Sequence, residues 1–222
     1  MTRWSPSRRA VLESLADELL HNYGRGRTII AVDGPDAAGK TTLADDLAVE
    51  IRKRRHDVYR ASVDDFHRPR ELRYRQGRTS PAGYYADAFD YSLLRRVLIE
   101  PFRLNGATGF VLAGFDLERD RPLESRWTTG PADAILIVDG VFLQRPELRG
   151  MWNAVVYVDV SAAERDRRYL ERDGIEPTSE LAARYNGAQK LYLKEAKPRE
   201  SATIVIDNSD PESPHRVFTD SC

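Results

Sequence analysis

The stretch Gly34-Pro35-Asp36-Ala37-Ala38-Gly39-Lys40-Thr41, followed by Thr42, fits the pattern G-x-x-x-x-G-K-[ST]. A chain that uses this pattern has little freedom in what surrounds it. The glycines let backbone N–H groups close around phosphates with no Cβ in the way. Lys40 is expected to set its ammonium against the β and γ phosphates, and the Thr41 hydroxyl to ligand Mg²⁺. Gly34, Asp36, Ala37, Ala38, Gly39, Lys40, Thr41 and Thr42 are therefore the expected nucleotide-binding residues. The loop works only between a strand and the N-terminus of a helix, whose dipole and unpaired N–H groups hold the anion. Both flanks meet that demand. Thr28-Ile29-Ile30-Ala31-Val32-Asp33 is a short β-branched apolar run, and Leu43, Leu47 and Ile51 recur at helical spacing behind the loop.

The rest of the sequence bounds the setting. The chain has 222 residues, 41% of them hydrophobic, enough for one globular domain with a sizeable core. We expect a single domain over residues 1–222. Lys+Arg 34 against Asp+Glu 35 gives a net charge of -1, which offers no basis for a nucleic-acid or anionic-membrane partner. The only cysteine is Cys222, so no intramolecular disulfide can form. Met1 leads into Arg3, Trp4 and Ser5 without an apolar leader, and no run reaches the length of a membrane span. A cytoplasmic protein is the expectation.

Further elements alternate along the chain. Ser5-Pro6 reads as an N-cap and first helical position, and Gly24 as the end of that helix. Val58 to Val63 reads as a second strand, which ends on Asp64-Asp65-Phe66-His67-Arg68. A carboxylate at the carboxyl end of such a strand is placed to take a proton from an attacking hydroxyl, although a capping aspartate fits the position equally well. Arg68, Arg70, Arg73, Arg75 and Arg78 follow, in a loop that could clamp phosphate or simply lie exposed. Tyr91 opens a helix expected to close at Glu100-Pro101. Asn105-Gly106 is a turn signal, and residues of about 105–130 read as an inserted β-arm shaping an acceptor pocket. Ala134 to Asp139 is a third strand with an acidic end of the kind that supports Mg²⁺. Val155 to Val160 is a fourth, and Thr203 to Asp207 a fifth. Ser161 and Glu164 form a capping-box pattern before a helix on which Arg165, Arg168 and Arg172 share one face. Pro177 opens the next helix and Pro198 closes it; the tail beyond Pro211 is polar, expected to fray. His21, His56, His67 and His215 form no metal-ligand spacing.

These elements recur in the order found in the uridine kinase family: the P-loop, the Asp64 to Arg68 stretch, Asp87-Ala88-Phe89-Asp90, Phe115-Asp116, Val138-Asp139-Gly140, Arg168 to Asp173, and Ile206-Asp207-Asn208. The chain resembles that family, within the group that also holds pantothenate kinase and phosphoribulokinase, over roughly residues 27–208. The resemblance implies a three-layer α/β/α P-loop fold with a five-stranded parallel sheet in the order 2-3-1-4-5. It implies Asp64 as the catalytic base, Lys40 and Thr41 on ATP and Mg²⁺, and Asp139 in the outer shell of the metal. It also implies Arg168 and Arg172 in a lid over about residues 161–198. Arg68, Tyr84, Asp87 and Phe115 are the expected acceptor-binding residues. The acceptor motifs depart from the family: Tyr84 stands where uridine kinases carry a ribose-binding carboxylate, and Asp120 where they carry a base-contacting His.

An ATP-dependent kinase for a small hydroxyl acceptor is the leading reading, with uridine, a pantothenate-like or a sugar-like compound as the acceptor. A non-catalytic ATP-binding regulator is the other. A GTPase would carry N-K-x-D, and no Asn here precedes Lys. The oligomeric state stays open, a homo-oligomer included.

Overall fold

Apolar residues on the central strands alternate between two covered faces, and that alternation sets the architecture. In β1 (Thr28–Asp33), every residue is buried. Ile29 and Ala31 pack into one core, while Ile30 and Val32 pack into another. A strand covered on both faces belongs inside a parallel sheet flanked by helices. The structure is a computed structural model that describes residues 4–104 and 108–218, so the Asn105-Gly106 turn and Cys222 lie outside the described residues.

Around β1 the sheet is completed by β2 (Val58–Ser62), β3 (Ile135–Gly140), β4 (Ala154–Asp159), β5 (Ile204–Asp207) and β6 (His215–Val217). The spatial order is 2-3-1-4-5-6. The first five strands are mutually parallel, in the implied order, and β6 runs antiparallel to β5. The sixth strand corrects the expectation of a frayed tail and a five-stranded sheet. An uncovered β5 would present bare N–H and C=O groups; His215, Arg216 and Val217 cover them, and Arg216 anchors to Glu18.

One face is covered by α1 (Pro6–Tyr23) and α2 (Lys40–Lys53). Ser5 caps α1 by accepting the Arg8 N–H, with Pro6 at the first helical position. Arg8 then reaches into α2 and ion-pairs with Asp46 at 2.7 Å. The opposite face is aromatic. It packs α3 (Pro81–Asp87), the helical run 91–104 and a long later helix against Phe66, Phe142 and Tyr192. The 91–104 run does not stop at Glu100-Pro101. A π-type turn over Arg95–Ile99, with Glu100 N–H bonded to Arg95 O, widens the helix where Pro101 can donate no hydrogen bond.

The α4 helix (Ala162–Asp173) is capped by Ser161, which accepts the Glu164 N–H. Only half of the capping box forms, because the Glu164 carboxylate is taken by Arg167 and Arg168. The long helix α5 (Glu180–Ala196) starts later than Pro177, at a Ser179 cap that accepts the Ala182 N–H. The segment 110–128 forms two short antiparallel ladders, Phe110–Val111 with Trp127–Thr128 and Phe115–Asp116 with Arg121–Pro122. Among the described residues no helix is long and apolar enough to cross a membrane.

The junction of β3 with the segment after β2 is tight. Gly140 has φ +158°, and a Cβ there would stand 2.1 Å from Val63 Cγ1 and 2.8 Å from Val63 Cβ. Gly140→Ala is expected to lower unfolding free energy by about 1–3 kcal/mol, because neither chain can yield without displacing the turn that carries Asp64. A urea titration of the two proteins checks this, and an unchanged midpoint would refute it.

Candidate functional site

Strand β1 ends at Asp33, and the chain turns through the glycine loop into the first turn of α2. Gly34 passes so close to β4 that a Cβ would lie 2.3 Å from Val158 O. Gly39 has φ +85°, and its Cβ would meet Asn208 Nδ2 at 2.6 Å. The glycines are thus required by the walls of the loop, which Asn208 braces by donating to Ala38 O at 2.8 Å. Gly39 caps α2 without a side-chain hydrogen bond, leaving the helix N-terminus open to an anion. Lys40 bends back over the loop and donates to Pro35 O at 2.7 Å.

At the first turn of α2, Thr41 Oγ1 lies 2.5 Å from Asp139 Oδ2, at the end of β3. The other carboxylate oxygen of Asp139 accepts from Arg60 Nη2 at 2.7 Å. Arg60 also donates to Ile137 O and Asp45. This donor set is entirely oxygen, which suits Mg²⁺. Among the described residues no group of three or more His, Cys, Asp or Glu side chains is arranged to hold an ion alone. That too fits Mg²⁺, which takes one or two protein ligands and completes its shell with phosphate oxygens and water.

Two cavities, each of about 570 Å³, lie on either side of the loop. Ala37, Gly39 and Thr42 face the first, with Arg8, Arg168 and Asn208. Asp36 faces the second, with Asp64, His67 and Tyr84. Arg172 borders both. Asp64 is a solvent-exposed residue that opens into the second cavity, where neighbouring protein atoms displace part of the water around its carboxyl. This partial desolvation pushes its pKa up to about 6 against the opposing pull of Lys40, while Asp36, Asp139 and Asp65 reinforce the rise. Beside it, His67 is held neutral, its pKa lowered to about 4 chiefly by burial. Its Nδ1 lies 2.7 Å from Asp64 O, an acceptor, so Nδ1 carries the proton.

The expected site residues separate into those the fold gathers and those it engages elsewhere. Gly34 to Thr42, Asp64, Asp139 and Arg172 surround the loop. Arg168 is tethered: it donates to Ala37 O at 3.3 Å, Asn208 O at 2.7 Å and Ser209 O at 3.0 Å, and pairs with Glu164. Arg172 pairs with its neighbour Asp173. Of the four acceptor candidates, Tyr84 lines the second cavity. Asp87 is 1% exposed and spends its carboxylate on Arg75 and Gln76. Arg68 stands 3.8 Å from that same carboxylate. Phe115 is packed in the interior. Asp120 accepts the Arg70 N–H and pairs with Arg73 at 2.9 Å, fastening the inserted arm to the arginine loop.

Sequence reasoning missed Arg184, Tyr169 and Tyr185, all on the second cavity. On a helical wheel they read as ordinary surface or core positions, and only the packing of α4 against α5 brings them together. Arg60 was also missed, because its partner lies 79 positions away on β3.

No family model matches the chain. Uridine-cytidine kinase B of Dictyostelium discoideum is 26% identical over 170 residues, 77% of this chain and 66% of that protein's length. A uridine kinase of Halobacterium salinarum is 27% identical over 169 residues, 76% of this chain and 71% of its own. A solved structure of a possible uridine kinase from Bacillus stearothermophilus superposes with a TM-score of 0.71 at 26% identity, covering 89% of this chain and 97% of that one. The chain is similar to uridine kinases and has the P-loop kinase fold. These likenesses support an ATP-dependent kinase and leave its acceptor to be read from the second cavity.

The Arg60–Asp139 pair lies beneath the candidate site, with side chains 17% and 2% exposed. Arg60→Met keeps the aliphatic stem but leaves a buried carboxylate one partner short. Unfolding free energy is expected to fall by about 3 kcal/mol, the lower range for breaking such pairs. Denaturant unfolding measures it, and a loss under about 0.5 kcal/mol, the scale of a surface pair, would refute the assignment.

Proposed function

We propose that the protein transfers the γ-phosphoryl group of ATP to a hydroxyl of a small acceptor bound in the second cavity. One observation carries this reading: the Asp64 carboxylate opens into that cavity beside the loop, within electrostatic reach of Lys40. A purely structural aspartate has no need of that position, and a mere nucleotide binder has no need of a second cavity.

ATP enters the first cavity with its phosphates on the N–H groups of Gly34 and of Asp36 to Thr42. Lys40 leaves Pro35 O and turns to the phosphates. Thr41 and Asp139 would hold Mg²⁺, which would offset charge on the phosphate oxygens. Asp64 accepts the proton of the acceptor hydroxyl as the oxygen attacks. Arg172, at the border of the two cavities, releases Asp173 and faces the transferring group, while Arg168 keeps α4 fixed to the loop. The segment 161–198 serves as the lid that keeps water from the phosphates. Uridine is the acceptor that the names of the relatives bring forward, and the wall of the second cavity is what decides for or against it.

Asp64→Asn is expected to lower kcat by about 10²–10⁴-fold, the usual share of a positioned base. ATP affinity by calorimetry should be unchanged. Turnover within threefold of the parent would remove Asp64 from the mechanism.

The pH dependence follows from the same group. A carboxylate with its pKa raised to about 6 is ionised above that pH and protonated below it. Only the ionised form can accept a proton. kcat/KM should therefore fall tenfold per pH unit below about 6 and level off above it. A profile flat between pH 5 and 7 would contradict the assignment.

A further inference from the structure

The wall of the second cavity is built from donors. Arg184 is 7% exposed, and among the described residues no carboxylate lies within ion-pair distance of it and no protein group accepts a hydrogen bond from it. Its Nε is buried without a partner. Its guanidinium instead lies over tyrosine rings, 4.6 Å from the centroid of Tyr84 and 5.4 Å from that of Tyr74. Cation–π contact steadies a guanidinium but uses none of its N–H groups. A buried cation in this state lacks the counter-charge that such groups normally have.

Its surroundings repeat the pattern. Arg73 Nε and the Tyr169 hydroxyl are also buried without partners. Arg78 approaches the Tyr74 ring, at 5.4 Å, and among the described residues no carboxylate lies within ion-pair distance of it. The acids on this cavity are Asp36, Asp64 and Asp173, against Arg70, Arg73, Arg78, Arg172 and Arg184. Asp173 is committed to Arg172, and Asp64 and Asp36 lie toward the loop. Asp120 offsets Arg73 and the start of the helix that carries Arg70. Arg184 and Arg78 are left uncompensated.

We propose that the acceptor carries an anionic group of its own, a carboxylate or a phosphate monoester, which seats on Arg184 while its hydroxyl meets Asp64. Carboxylate and phosphate oxygens accept only, which is what a wall of N–H and O–H donors calls for, and both match the planar fork of a guanidinium. A nucleobase presents donors as well as acceptors and prefers a free ring face; here Arg184 covers Tyr84, and Tyr169 and Tyr185 stack on each other at 5.9 Å. Arg168 and Arg172 serve the nucleotide side, so Arg184, absent from the first cavity, is not needed for ATP. The inference rests on the kinase reading for the hydroxyl and on the wall alone for the anion.

The test pairs ligands that differ in charge: ribose against ribose 5-phosphate, glycerol against glycerate, and uridine as the neutral nucleoside. Acceptor-dependent ADP release with Mg-ATP reads turnover, and calorimetry in the presence of ADP reads binding without chemistry. The expected result is that one charged member binds and reacts at least tenfold better than its neutral counterpart. Which pair responds tells phosphate from carboxylate. Arg184→Met should raise the KM of that charged acceptor about 10–100-fold, the loss of a charge-assisted hydrogen-bonded pair, with the KM for ATP unchanged. Arg184→Lys keeps the charge and should recover part of the loss; it also decides the matter if the Met variant does not fold. Uridine or ribose used as well as any charged compound would overturn the inference and leave the kinase reading standing. Binding of a charged member without any ADP release would do the reverse. Binding of none of these ligands, or an Arg184 variant that binds the charged member as well as the parent, would overturn the inference outright.

Discussion

Asp139 is the one carboxylate that ties the central sheet to the nucleotide loop. It ends β3, takes the Thr41 hydroxyl from α2 on one oxygen and the Arg60 guanidinium from β2 on the other. Three elements therefore meet on one group that is 2% exposed. An ionised carboxylate that deep is costly unless paired, and Arg60 provides the pairing, with further hydrogen bonds to Ile137 O and Asp45 that fix its own position. The arrangement has a consequence for the proposed metal site. With both Asp139 oxygens engaged, Thr41 is the protein group best placed to touch Mg²⁺, and Asp139 orients that hydroxyl from behind.

The same economy governs the loop. Gly34 is pressed against Val158 O and Gly39 against Asn208, so the loop conformation is set by β4 and by the residue after β5. Arg168 adds the tie from α4. A phosphate cradle held from three sides, by β4, the residue after β5 and α4, needs little rearrangement when an anion arrives, which is the condition for electrostatic stabilisation without a reorganisation cost.

How much of this was legible in the sequence follows from which physical signal each part leaves. Strands β1, β3, β4 and β5 were visible because a doubly covered strand is apolar almost throughout. Strand β2, half-buried and carrying Arg60, was visible through its Val58-Tyr59 start and acidic end; each boundary fell within a residue or two of the structure. The first helix was visible through Ser5, Pro6 and Gly24, whose conformations do local work. The β6 pairing was not, because His215-Arg216-Val217 has no apolar pattern and forms only where β5 offers an open edge. Glu100-Pro101 was misread as a stop because a π turn leaves no sequence mark. In the candidate site, the placement of Lys40 and Thr41 was legible from a motif fixed by backbone geometry, and that of Asp139 from the acidic end of an apolar strand. Asp87 looked like a polar contact for a ligand, but its carboxylate is spent on Arg75 and Gln76, a choice that depends on side-chain packing alone.

That contrast separates the two halves of the site. The nucleotide half is made of backbone N–H groups and a helix end, so a short contiguous stretch announces it. The proposed acceptor half is assembled from the turn after β2, the arginine loop, α3, α4 and α5, and no stretch of sequence contains it. Its chemistry is set by what its walls lack. Arg184, Arg73 and Tyr169 present buried donors with no acceptor facing them. A neutral acceptor can take hydrogen bonds from some of these donors but leaves the guanidinium charge unbalanced, whereas an anion pairs the donors and neutralises the guanidinium together. A pocket of this kind rejects uncharged compounds by the cost of what they fail to satisfy, which is a stronger filter than any shape the tyrosines could impose.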